Sequence, residues 1–240
     1  MSRSRSTSRN RGQTDSLTSM LQESQIEWPP EENSRFIPID VIRKLEEKRP
    51  VRRELRRIFP GIDRESLDHY VHIICTKATK IFAILLAISI KIQVIRELLD
   101  EGITDANLPF VRVPLYDVET KRRSSNYTLG KHEHKNCQTE GHAGCGIMAL
   151  SNWRSADVRH LDRDQWLALS PVFKRASKKV PHYHFEDNTI LPFTEDDENR
   201  KGKMMYGGYS EVWAVRIHPA HQDILISSDH SVSSKLSEKV

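Results

Sequence analysis

The densest group of residues able to bind a metal lies between Lys131 and Gly146, where His132, His134, Cys137, His142 and Cys145 stand close together. Zinc takes imidazole and thiolate ligands in a tetrahedral set. Cys137, His142 and Cys145, with either His132 or His134, could fill that set. The spacing H-x-H-x2-C-x4-H-x2-C has no second ligand pair a dozen or more residues away. A polar loop that happens to carry His and Cys therefore competes with the metal reading. A second run with chemical potential is Met204 to Ile217, which reads as a Gly-rich turn followed by a strand. The paired glycines Gly207 and Gly208 let the backbone approach phosphate oxygens closely, because they carry no Cβ. Tyr209 and Ser210 follow them. Val212, just after the turn, can pack over a purine ring, and Val212 and Ala214 alternate with Trp213, Val215 and Ile217 as a strand requires. That combination is what a lid over a nucleotide needs.

The elements that must position these residues are mostly helical at first. Residues 1–35 read as a disordered Ser/Arg-rich tail with too little apolar surface to offset the entropy of ordering. From Phe36 the character changes. Asp40 is placed to cap a helix through Val41, Ile42 and Leu45, with Pro50 as punctuation before a second short helix carrying Val51, Leu55 and Ile58. Asp63 is placed to cap a long helix in which apolar residues recur at three- and four-residue spacing from Leu67 to Leu99, closed by Gly102. Residues 36–118 thus form a helical domain, extended over 104–118. Residues 119–160 read as a linker with the His/Cys cluster, and residues 223–240 as a polar tail.

The order of several short motifs then carries a resemblance. The run Met205-Tyr206-Gly207-Gly208-Tyr209-Ser210-Glu211-Val212 resembles the Gly-rich loop of protein kinases, G-x-G-x-x-G-x-V. With Val212 as the valine, Gly207 takes the middle glycine position, and Met205 and Ser210 replace the other two. Gln165-Trp166, Ser170-Pro171-Val172-Phe173, Leu191-Pro192-Phe193 and Ile217-His218-Pro219-Ala220-His221 extend the likeness to a group of fungal kinase-domain proteins. Lys80 to Leu85 and Asp105 to Phe110 are similar to the helical region that precedes the kinase domain in that group.

The resemblance implies a partial kinase-like N-lobe of short antiparallel strands over residues 161–222. The expected class is therefore α+β. ATP and magnesium are the ligands it implies, with Gly207, Gly208, Tyr209, Ser210 and Val212 at the nucleotide and Lys235 as the counterpart of the strand lysine. His160-Leu161-Asp162 superficially matches a catalytic-loop H-R-D, but it precedes the glycine loop, and Leu167 stands where the downstream asparagine belongs. No catalytic-loop aspartate or D-F-G follows Val212. The sequence as given thus reads as ending inside the first strands of such a domain. The expected function is that of a pseudokinase-like interaction or regulatory module with an unknown protein partner. A serine/threonine kinase family member that binds ATP, and a small zinc- or nucleic-acid-binding protein, are the rival readings.

Composition narrows the setting. The most apolar stretch, Ile81 to Ile88, is far shorter than the roughly 20 residues of a bilayer span, so it reads as a buried helix and no membrane is expected. The first 16 residues lack an apolar core, and Cys75, Cys137 and Cys145 are too few for a disulfide scaffold. An intracellular location, cytoplasmic or nuclear, follows. The net charge of +4 owes much to Arg3, Arg5, Arg9 and Arg11. A basic stripe over 43–57 has no interleaved aromatic residue before Phe59, so it reads as a solvated face, with nucleic acid not expected as a partner.

Overall fold

Apolar residues at helical spacing between Leu67 and Leu99 fold as helices, but the chain breaks where polar side chains intercept the backbone. In the computed structural model, residues 16–28, 34–117, 122–132, 146–174, 182–194, 205–207, 210–212 and 215–223 are described. Helix α4 (Arg64–Lys77) starts at Asp63, whose carboxylate accepts the Ser66 N–H at 2.8 Å. The single helix expected from Asp63 to Gly102 is instead three: α4, α5 (Thr79–Ile88) and α6 (Val94–Asp100). A bend of 100° separates α4 from α5. At that corner the Thr79 hydroxyl donates to the Ile74 carbonyl at 2.8 Å, and Asp105 accepts the N–H groups of Lys80 and Ile81 at 2.9 and 3.0 Å. The Asp105 bonds satisfy donors in the first turn of α5, and the Thr79 bond satisfies a carbonyl in the last turn of α4, groups that helix ends otherwise leave unpaired. Burial pushes the Asp105 carboxyl up, against the pull of those N–H groups. The second break falls at Ser89 and Lys91, both in the left-handed region, and Gly102 (φ 77°) closes α6 as its sequence position predicts.

Helix α5 is the centre of the core: Phe82, Leu85 and Leu86 are buried there among residues of α4, α6 and the flanking helices. No single helix among the described residues is long and apolar enough to cross a membrane. Part of the cover comes from α1 (Leu17–Glu23), within the span read as a disordered tail. Ser16 caps this helix by accepting the Thr18 N–H at 3.2 Å, and Leu17 and Leu21 sink into the core. Two leucines at i, i+4 sufficed because α5 supplies the surface to bury them, which composition alone does not reveal. Strand β1 (Ile26–Glu27) then pairs antiparallel with β2 (Arg35–Phe36).

Helix α2 (Ile39–Arg43) begins after Pro38, so Asp40 sits in its first turn and is not its cap. A 3-10 turn, Lys44–Glu46, leads to α3 (Lys48–Ile58), in which Pro50 occupies the first turn. There the missing N–H breaks no intrahelical bond, so the helix boundary falls at Glu47 and Pro50 does not interrupt it. Leu45, Val51 and Leu55 are buried as their spacing predicts.

The stretch 119–160, expected as a linker, contributes a strand, a 3-10 turn at Met148–Leu150 and most of a helix among its described residues. Strand β4 (Arg122–Gly130) pairs antiparallel with β3 (Val111–Asp117), and α7 (Ser155–Asp164) buries Val158 and Leu161. Ladder pairing with β3 holds β4 as a strand despite its polar composition; Leu129 is the side chain it sinks into the core. After a 3-10 turn at Gln165–Ala168, β5 (Phe193–Thr194) pairs with β8 (Arg216–Ile217), and β6 (Met205–Gly207) pairs with β7 (Ser210–Val212). The class is α+β, with short antiparallel strand pairs beside a helical core.

Candidate functional site

A polar cleft of about 1060 Å³ opens where α1, β2, the end of α5, β3, α7 and the loop 187–190 converge. Helix α7 supplies its chemistry, because His160 and Asp164 stand one turn apart on a common face. His160 Nε2 lies 2.6 Å from Asp164 Oδ2, an arrangement that orients an imidazole. The same carboxylate receives a two-pronged contact from Arg163, Nε to Oδ1 at 2.6 Å and Nη2 to Oδ2 at 2.9 Å. Bidentate pairing of this kind neutralises the carboxylate. Asp162 is buried; its Oδ2 accepts from Arg112 Nε at 2.7 Å and from the Tyr127 hydroxyl at 2.8 Å. The Arg112 guanidinium also lies over the Tyr127 ring. The carboxylate raises the Arg112 pKa, while burial, aided by that carboxylate, raises the phenol of Tyr127. Trp166 and Leu167 form part of an apolar wall.

Residues behind the wall fix it in place. Gln165 is buried; its Oε1 accepts the Phe110 N–H at 2.7 Å, and its Nε2 donates to the carbonyls of Phe110 and Asp162, each at 3.1 Å. The loop on the far side is tied by the Ser170 hydroxyl, which donates to the Ile190 carbonyl at 2.7 Å. Asp162, the aspartate of the His160-Leu161-Asp162 triplet, is therefore a strut between α7 and the β3–β4 ribbon, as its two bonds show. The i, i+4 spacing of His160 and Asp164 is the signal in the sequence that marks this pair, distinct from the adjacent triplet.

The Gly-rich run from Met205 to Val212 contains an antiparallel strand pair. Gly207 pairs with Ser210, Tyr206 with Glu211 and Met205 with Val212. Gly208, Tyr209 and Lys235 lie outside the described residues. A two-stranded ribbon is marginal by itself; in sequence this one lies between β5 and β8, and the chain flanking those two strands is fastened to the helices. Phe173 N–H donates to the His221 carbonyl at 2.8 Å, Asp223 N–H to the Phe173 carbonyl at 2.8 Å, and His218 N–H to the Pro192 carbonyl at 2.8 Å. His221 is the deepest of these contacts, at 1% exposure. Its Nε2 accepts the Ile39 N–H at 2.9 Å, and its Nδ1 lies 2.9 Å from the Pro171 carbonyl, to which it donates. Its ring meets Phe36 edge-on, with centroids 5.4 Å apart.

Of the proposed metal ligands, His132 is half-buried, with an Nδ1 that has no hydrogen-bond partner among the described residues. His134, Cys137, His142 and Cys145 lie outside the described residues. Among the described residues, no three His, Cys, Asp or Glu side chains gather to hold a metal.

A third feature is aromatic. Tyr183 and Phe185 stack with rings 5.9 Å apart and both meet Phe173 edge-on, while remaining 37% and 44% exposed. No protein-family model, no curated protein and no solved structure matches this chain.

Proposed function

We propose that this chain is a kinase-like interaction module: a helical platform that holds the root of a Gly-rich hairpin and binds a protein partner, with no phosphoryl transfer of its own. The observation that carries the reading is the aromatic group of Phe173, Tyr183 and Phe185. It stands at the surface on the residue that fastens the hairpin root, since Phe173 is bonded to both His221 and Asp223. Exposed clustered aromatics of this kind mark contact surfaces. The state of the cleft supports the non-catalytic half of the reading. Asp162 is engaged by Arg112 and Tyr127, and Asp164 by His160 and Arg163, so neither carboxylate is poised to hold magnesium or to take a proton from an acceptor hydroxyl.

A second reading, a serine/threonine kinase family member that binds ATP, is favoured by the closure of the hairpin at Gly207 and Ser210 with Gly208 and Tyr209 between them. Thermal unfolding with and without ATP and magnesium separates the two. A ligand at a hundredfold its Kd adds about 2.7 kcal/mol to the native state. The interaction module shows no ATP-dependent rise in Tm and no radiolabel transfer. A rise at micromolar ATP supports the second reading, and label transfer by the isolated chain ends the first.

A further inference from the structure

In the cleft Arg112 and Arg163 are each paired with a carboxylate; on the outer face of α3 three arginines are not. The helix reads Lys48-Arg49-Pro50-Val51-Arg52-Arg53-Glu54-Leu55-Arg56-Arg57-Ile58. Val51, Glu54 and Leu55 face the core. At 3.6 residues per turn, Arg49, Arg53 and Arg56 fall on the opposite side, and all three are exposed. Arg52 is paired with Asp68 and Arg57 with Glu54. Among the described residues Arg49, Arg53 and Arg56 have no ion-pair partner, nor do Lys48 on the same helix or Arg43 and Lys44 just before it.

Although the charge pattern alone reads as a solvated face, we infer from this unpaired arginine row that this face of α3 binds the phosphate backbone of a nucleic-acid duplex. The stripe from Arg49 to Arg56 covers roughly 10 Å at ~1.5 Å per residue. Along a duplex that length presents several phosphates, since one charge occurs about every 1.7 Å of axis. Arginine is the side chain whose planar fork fits phosphate oxygens two at a time. A membrane fits less well. An interfacial helix needs an apolar face to insert, and here Val51 and Leu55 are spent in the core while Ile58 packs against it. A single strand fits less well too, because no exposed aromatic residue on the stripe offers a stacking platform. The contact is therefore with the backbone and is independent of base sequence. Arg3, Arg5, Arg9 and Arg11, with no acid before Asp15, give the chain a second cationic segment that would add to the same attraction.

The test is fluorescence anisotropy of labelled DNA and RNA duplexes titrated with the full chain between 50 and 250 mM salt. The expected result is binding whose log K falls linearly with log salt. R49E/R53E/R56E should weaken it at least tenfold at 100 mM, and the neutral R49Q/R53Q/R56Q should make the slope shallower by about 2 to 3, as loss of three phosphate contacts requires. Circular dichroism and urea unfolding, which should match the parent, show that both variants are folded. The neutral set carries the test if charge reversal disturbs the helix. Absence of duplex binding at 50 mM salt overturns the inference. So does equal binding by the α3 variants, with loss only when Arg3, Arg5, Arg9 and Arg11 are replaced by glutamine. Capture by phosphatidylserine vesicles with no duplex binding overturns it in favour of a membrane.

Discussion

Around α5 the chain is held by apolar contact on every side, with Phe82, Ile84, Leu85 and Leu86 buried against five other helices or their flanks. From Ser170 to Asp223 it is held differently. Among the described residues there, the strands are two or three residues long, and single polar bonds from Ser170, Phe173, His218 and His221 fasten the chain. A packed core spreads its stabilisation over dozens of weak contacts, whereas a polar clamp concentrates it in few groups that are costly to leave unpaired. The helical region should therefore answer to lost volume, and the C-terminal segment to lost hydrogen bonds and to pH.

The largest expected effect is at the centre of the helical region. Phe82→Ala removes a fully buried ring from α5 and should cost about 3–5 kcal/mol, by lost transfer free energy plus the cavity left behind. Urea unfolding followed by circular dichroism measures it as a lower midpoint. A loss below about 1 kcal/mol would mean that α5 is not the packed centre of the fold.

Gln165→Leu tests the edge of the helical region, where the 3-10 turn after α7 meets the stretch leading into β3. Its side chain satisfies both the N–H and the carbonyl of Phe110, in the buried stretch that follows the helices. Leucine preserves most of the bulk and leaves both backbone groups unpaired, for an expected cost of about 2–4 kcal/mol. Hydrogen exchange at the Phe110 amide should speed up beyond what the global loss explains. Unchanged exchange there would show that the amide does not depend on Gln165.

How much of this was legible in the sequence follows the same divide. Periodicity gave the buried side of α3 and α4, the cap at Asp63 and the stop at Gly102, because burial repeats every turn and leaves a pattern. It ran straight through the corner at Ala78, since the apolar spacing continues across the bend. At that bend the N–H groups of Lys80 and Ile81 are taken by Asp105, more than twenty residues away, a partner that spacing does not reveal. Helix α1 was hidden because two leucines are too few to register until α5 is known to receive them. Strand β4 was hidden because its partner, not its composition, makes it a strand. In the cleft, the spacing of His160 and Asp164 was open to reading. The engagement of Asp162 by Arg112 and Tyr127 required the β3–β4 pairing to be known first. Near Gly207 the sequence reads as a Gly-rich turn followed by one strand from Val212 to Ile217, whereas the described residues give two strands with different partners, β7 on β6 and β8 on β5, because pairing and not alternation decides where a strand belongs.

His221 gives the smallest effect and the sharpest separation of the two regions. Burial, the largest influence, lowers its pKa below the ordinary 6.5; the Pro171 carbonyl and Asp40 pull it up, and His218 and Arg43 push it further down. Geometry requires the same neutral form, since Nε2 must be free of a proton to accept the Ile39 N–H. At pH 7 both folded and unfolded chains carry the neutral ring, and its contribution is complete. As pH falls below about 6.5 the unfolded or undocked chain takes up the proton first, so the contribution shrinks until the folded pKa is also passed. Limited proteolysis between pH 7 and pH 5 should show cleavage beyond Ser170 accelerating as pH drops, while the helical core stays protected. His221→Phe keeps an aromatic ring against Phe36 but loses both bonds, at an expected cost of about 1–2 kcal/mol. It should be cleaved faster at pH 7 and lose most of the pH response, which separates His221 from its neighbour His218. If the variant kept the parent's pH response, the imidazole of His221 would not be the clamp, and the C-terminal segment would have to be held by its apolar contacts after all.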